Sequence, residues 1–177
     1  IPPESSVEEI QIDRPEIYFG ELSNDYILVN TSEDEFDYPD GDSNKYTQYE
    51  GTAGIKMNFI NRILFSIREQ SMKILVSSNI NSDSKIIINR NVMDRVQKIM
   101  PYLSYEDDPY TVVADGKIYW MIDAYTTSSY YPYSEPYSGT VGGTKYIRNS
   151  VKAAVDAYNG SVDFYVVDDG DPIAKTS

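Results

Sequence analysis

The chain has 177 residues, with 28 acidic against 15 basic side chains, no Cys, no His and 17 Tyr. Without His or Cys there is no Ser-His-Asp or Cys-His nucleophile system, no thiolate or imidazole metal site and no disulfide, so any chemistry falls to carboxylates, Lys, Tyr, Ser or Thr. A net charge of −13 argues against a nucleic-acid partner, because neutralising phosphates takes clustered Lys and Arg. The charge is unevenly spread: residues 1–51 hold 14 acids and 2 bases, residues 52–100 hold 3 and 8, and residues 101–177 hold 11 and 5, so the middle third is a basic island.

Residues 1–14, polar with two early prolines, read as a linker-like segment ahead of a single domain at 15–172, with 173–177 as a tail. A start at Ile1 with neither an initiator Met nor a signal peptide suggests a piece of a longer protein. Ile17-Tyr18-Phe19 and residues 26–29 are short β-prone runs separated by a turn, which predicts two strands. Residues 33–42 follow as an acidic loop broken by Pro39 and Gly41.

From Ile55 the apolar period becomes helical. Ile60, Ile63, Leu64 and Ile67 form the stripe of an amphipathic helix, which either runs on through Met72, Ile74 and Leu75 or gives way to a strand at Ile74-Leu75-Val76. Ile86-Ile87-Ile88 is β-branched throughout and reads as a strand. Asn91 then caps a helix carrying Val92, Val96, Ile99 and Met100, which Pro101 stops.

In the C-terminal half, Asp115-Gly116 lies between the β-prone runs at residues 110–113 and 117–122, and Asn159-Gly160 between runs with a period of two at residues 151–158 and 162–167; both dipeptides favour tight turns and predict two hairpins in one sheet, the alternative for residues 150–158 being a helix read from their alanines. The expected fold is α+β: an antiparallel sheet of hairpins with two or three helices packed on one face. The longest wholly apolar run, residues 118–122, falls far short of the roughly 18 to 20 residues that span a bilayer, so a soluble piece is expected.

Several patterns invite a chemical reading. Glu33, Asp37, Asp40 and Asp42 could offer hard oxygen ligands to Ca²⁺, but their spacing misses the EF-hand, and residues 168–171 stand in the same position. Glu50, Asp123 and Asp156 are the acids nearest β-prone segments, yet a hydrolytic pair must converge across a cleft and spacing does not bring any two together. The glycine run at 139–145 departs from a phosphate loop, and Ser82 to Lys85, which match Ser-x-x-Lys, lie in turn-like sequence with no helix. The expectation is therefore no cofactor, no metal site and no catalytic residue. Of the cations in the middle third, Arg62, Arg68, Lys73, Arg90, Arg95 and Lys98 could face anionic lipid or wall polymer, or neutralise the acidic flanks.

The tyrosines are the compositional oddity, with 12 of the 17 between Tyr102 and Tyr165. Tyr125, Tyr130, Tyr131, Tyr133 and Tyr137 cluster in one long segment with Pro132 and Pro136, where rigid, partly polar rings would suit a protein partner or a cell-envelope polymer.

Whole phrases carry a further signal: residues 15–21, 90–96, 123–128, 146–153, 155–160 and 164–168, in order over nearly the whole chain, resemble uncharacterised protein family UPF0182. Members of that family look like large bacterial multi-pass membrane proteins with a long extracytoplasmic region. The resemblance implies a soluble fragment from the extracytoplasmic side of the cell membrane whose parent chain spans the membrane, and it carries over no activity or site. Residues 139–144 look like an insertion relative to the family. The reading is a non-enzymatic module binding a protein or cell-envelope polymer; the alternatives are a carboxylate-dependent hydrolase of envelope glycan, or a structural domain packed on the rest of its parent chain.

Overall fold

The computed structural model describes residues 11–40, 43–136 and 143–175, apart from the side chains of residues 38 and 40. In chain order these form strands β1 (Tyr26–Val29), β2 (Glu35–Asp40), β3 (Ser43–Thr47) and β4 (Ile55–Lys56), then helices α1 (Phe59–Arg68) and α2 (Met72–Val76). Strand β5 (Lys85–Ile88) and helix α3 (Val92–Ile99) follow, then strands β6 (Ser104–Tyr105), β7 (Tyr110–Ala114), β8 (Lys117–Ser128), β9 (Tyr146–Asp156) and β10 (Val162–Val166). The class is α+β with antiparallel sheets, as the sequence predicts, but the strands divide among a five-stranded sheet, a three-stranded sheet and a two-stranded ribbon. Among the described residues no helix is long and apolar enough to cross a membrane.

The large sheet is built on the two predicted hairpins. Asp115 and Gly116 both adopt positive φ, 50° and 72°, the geometry whose twist matches flanking strands, and they join β7 to β8. Residues 157–161 join β9 to β10, with the Gly160 N–H donating to the Asp156 carbonyl at 2.8 Å. Of the strand predicted at residues 150–158, residues 150–156 are strand, in keeping with their period of two, while Ala157 and Tyr158 already belong to the turn. The order is β10-β9-β8-β6, with β7 also on β8.

The small sheet, β1-β5-β4, is covered on both faces, which explains why its central strand is apolar at three consecutive positions, Ile86, Ile87 and Ile88. Ile87 joins the main core with Val29, Val92, Val96, Ile122 and Val155, whereas Ile86 joins a second cluster with Met57, Phe65 and Ile74. Helix α3 fits its prediction closely: the Asn91 side chain accepts from the Asp94 N–H at 3.0 Å, and Val92 and Val96 are fully buried.

Four expectations are corrected. Ile17-Tyr18-Phe19 joins no ladder and bends at Tyr18 and Phe19, which are buried and both donate their N–H to the Ala157 carbonyl at 2.9 Å. The acidic residues from Glu35 onward form strand β2 rather than loop, with Pro39 on an edge that asks no donor of it. The first helix neither continues nor turns to strand after Arg68: Gln70 takes a φ of 51° and a separate short α2 follows.

The fourth correction concerns which way α1 faces. It buries Phe65 and Ser66, while Ile60, Leu64 and Ile67 lie on the outside. The cause is Arg62, whose guanidinium donates to the carbonyls of Leu75 and Ser77 at 2.7 Å each and of Ile74 at 3.3 Å. By capping the unsatisfied end of α2, Arg62 holds its own face of α1 inward and sends the aliphatic stripe to the surface.

Candidate functional site

Strands β8 and β9 pair over their length, but their ladder shifts register between Ala124 and Tyr125, and beyond Ser128 the chain leaves the sheet as a loop. Beneath its base sits a polar knot that spacing alone does not reveal. Thr126 and Ser150, inward-facing and buried on β8 and β9, both donate to Asp171, which the C-terminal segment inserts between them. The Tyr146 hydroxyl donates to the same carboxylate at 2.8 Å and the Ile173 N–H at 2.9 Å. Burial alone would raise the Asp171 pKa, but the hydrogen bonds from Ser150, Thr126, Tyr146 and Ile173 outweigh it and hold the group well below the usual carboxylate range.

The knot orients the loop. Tyr146, fixed by Asp171, stacks on Tyr131 with ring centroids 4.7 Å apart and an interplanar angle of 22°. The Ser134 hydroxyl donates to the Tyr131 carbonyl at 3.1 Å, and the Tyr130 N–H donates to Ser128 Oγ at 3.2 Å. On either side of the clamped ring, Tyr130 is 94% exposed and Tyr133 fully exposed, the latter at a φ of 60°. The structure thus brings together Tyr130, Tyr131 and Tyr133 of the predicted set. Tyr125 lies apart on β8, half-buried, where donation to Glu106 at 2.9 Å pushes its phenol up from its ordinary value. Tyr137 lies outside the described residues, as do residues 139–142 of the glycine run.

The candidate acids are occupied structurally. Glu50 accepts from Arg14 at 2.9 Å, Asp123 pairs with Lys152, and Asp156 accepts from the Tyr158 and Asn159 N–H groups at 2.8 and 2.9 Å. Glu50 and Asp156 do line one cleft of about 310 Å³, together with Glu16, whose Oε2 is the buried side-chain oxygen without a hydrogen-bond partner among the described residues. Asp123 is not among the residues lining that cleft.

Glu33 accepts from Asn79 at 3.0 Å, Asp168 pairs with Arg148, and Asp42 lies outside the described residues. Among the described residues no three acids gather as a cation site. The Ser-x-x-Lys stretch is a turn, in which buried Ser84 Oγ donates to the Asn30 carbonyl at 2.9 Å and Lys85 Nζ to the Gly51 carbonyl at 3.1 Å.

A family model described as an uncharacterised protein family, UPF0182, matches residues 1–177. Proteins called UPF0182 protein from Clostridium perfringens and Alkaliphilus metalliredigens are 55% and 53% identical over 97% and 95% of the chain, and one from Clostridium botulinum is 54% identical over 99%. The chain spans only 18% to 19% of the length of these relatives. No solved structure matches it.

Proposed function

The chain belongs to uncharacterised protein family UPF0182, and we propose that it is a non-enzymatic module on the extracytoplasmic side of a bacterial membrane, holding a protein partner or cell-envelope polymer through the loop at residues 129–136. One observation carries the reading: two large aromatic rings, Tyr130 and Tyr133, stand in solvent on a loop whose middle ring is clamped to the sheet through Tyr146 and Asp171. Exposed rings on a braced backbone lose little freedom when they are covered, and their amphipathic faces suit either a protein surface or a sugar ring. A hydrolase is less well supported, because Glu50, Asp123 and Asp156 each have a partner in place. The location rests on the family resemblance.

The test is capture from a bacterial envelope extract by the 177-residue chain and by its Tyr130→Ser/Tyr133→Ser variant. Since neither ring is buried, the variant should keep the parent's melting temperature while capture falls at least tenfold. Equal capture by both proteins would move the binding surface elsewhere. Glycosidase digestion of the extract separates the two partner classes, as it abolishes capture of a polymer and spares that of a protein.

A further inference from the structure

A second cleft, of about 460 Å³, lies between the N-terminal segment at residues 15–18, strand β1 and the β2–β3 ribbon. Ile17, Ile27 and Phe36 give it an apolar wall, and Ile17 and Phe36 are 47% and 59% exposed. Its polar lining holds three carboxylates, Glu16, Glu35 and Asp37, against the one guanidinium of Arg90.

These carboxylates are not equivalent. Glu35 is satisfied from within the protein, by the Tyr18 hydroxyl at 2.5 Å and the Asn30 N–H at 2.8 Å. Glu16 and Asp37 enter none of the ion pairs among the described residues, and Glu16 Oε2 is buried there without a hydrogen-bond partner. Arg90 pairs with neither of them and instead donates its Nε–H to the Tyr18 carbonyl at 2.7 Å. The acids act on their surroundings: burial first, then donation to Glu35 and the charge of Glu35, with smaller contributions from Tyr158 and Glu16, push the Tyr18 phenol far above its ordinary value. A buried carboxylate oxygen left without a donor costs free energy that a donor on a bound molecule recovers. Rotation about the broad, two-fold terminal torsion of Glu16 brings either of its oxygens to such a donor.

We propose that this cleft takes a primary ammonium carried on an aliphatic stem, the ammonium donating to Glu16 and Asp37 while the stem lies along Ile17, Ile27 and Phe36. Charge and shape select this class. An anionic ligand would meet three carboxylates and one guanidinium. A bare metal ion lacks its ligands, because among the described residues no three acids gather as a cation site. An ammonium brings three N–H donors that reach separate acceptors, and its methylene stem covers apolar side chains as a lysine stem does on protein surfaces. A free alkylamine and a lysine side chain share this chemistry. None of the lining residues belongs to the tyrosine loop, so the inference stands apart from the function proposed for residues 129–136.

Amide NMR titrations of the 177-residue chain with hexylammonium, 1-hexanol and methylammonium at physiological salt test it. Hexylammonium should shift the amides of residues 16–18, 27 and 35–37 and bind at least tenfold more tightly than either control, because it alone carries both charge and stem. Glu16→Gln/Asp37→Asn should keep the parent's melting temperature, since neither carboxylate is ion-paired, while hexylammonium binding weakens at least tenfold and hexanol binding is unchanged. Nα-acetyl-lysine methylamide separates the two sources: tighter binding than hexylammonium assigns the cleft to a lysine side chain, and weaker binding assigns it to a free amine. The absence of saturable shifts with hexylammonium, equal affinity for it and for either control, or undiminished binding by the variant overturns the proposal. So do shifts centred on Lys117 and Asn159, which would move the ammonium to the cleft of Glu50 and Asp156.

Discussion

Asp171 shows how much one side chain can carry here. Among the described residues four donors converge on it and none of them is a basic side chain, and Tyr146 passes that anchoring on to the ring of Tyr131. Its folded pKa is depressed, so its contribution is fully present above the unfolded carboxylate value of about 3.9 and is lost as pH falls through the folded value. Acid unfolding should therefore show a stability slope below about pH 4 that Asp171→Asn removes, with a loss of about 2–3 kcal/mol at neutral pH; an unchanged acid limb would show the knot to be dispensable. Gly160 is a second such point. Its φ is 67°, and a Cβ there would stand 2.5 Å from the Phe19 ring. Gly160→Ala should cost about 2 kcal/mol or more in chemical denaturation, from backbone strain and overpacking together. The turn at Asn159-Gly160 was legible in the sequence, whereas the demand placed on it by Phe19, 141 positions earlier, was not.

At the scale of elements, α1 separates periodicity from burial. Its aliphatic spacing correctly announced a helix, because the repeat of apolar residues reports local geometry. Which face turns inward depended on a contact with α2 that has no local signal, the guanidinium of Arg62 on the carbonyls of residues 74, 75 and 77. Adjacent positions should then respond oppositely to truncation. Phe65→Ala should cost about 3–5 kcal/mol, while Leu64→Ala should stay within about 0.5 kcal/mol. Comparable losses at both positions would mean that the stripe is buried after all. Arg62→Lys should lose about 1.5–3 kcal/mol despite keeping the charge, since an ammonium cannot reach several carbonyls in a fixed fork. The acidic segment carries the same lesson in reverse: its composition reads as loop, but pairing with residues 43–47 draws residues 35–40 into a strand.

For the whole molecule, the three sheets differ in how they are shielded. Strand β5 is central in its sheet and feeds two clusters, and β8 and β9 lie inside the large sheet, whereas among the described residues β2 and β3 pair only with each other. Native-state hydrogen exchange should be slowest in β5, β8 and β9 and fastest in the β2–β3 ribbon, because opening the ribbon uncovers little apolar surface. Protection of the ribbon equal to that of β9 would indicate a cover the isolated chain does not supply. The sequence by itself determined the α+β class, both hairpin turns, α3 with its Asn91 cap and the concentration of tyrosines in the C-terminal half, since each depends on residues within a few positions of one another. Only the tertiary structure decided the division into separate sheets, the outward face of α1, the Asp171 knot and which tyrosines share a surface. Those outcomes rest on hydrogen bonds and packing between segments far apart in the chain, and composition and periodicity do not encode which distant partner satisfies a given donor or covers a given face.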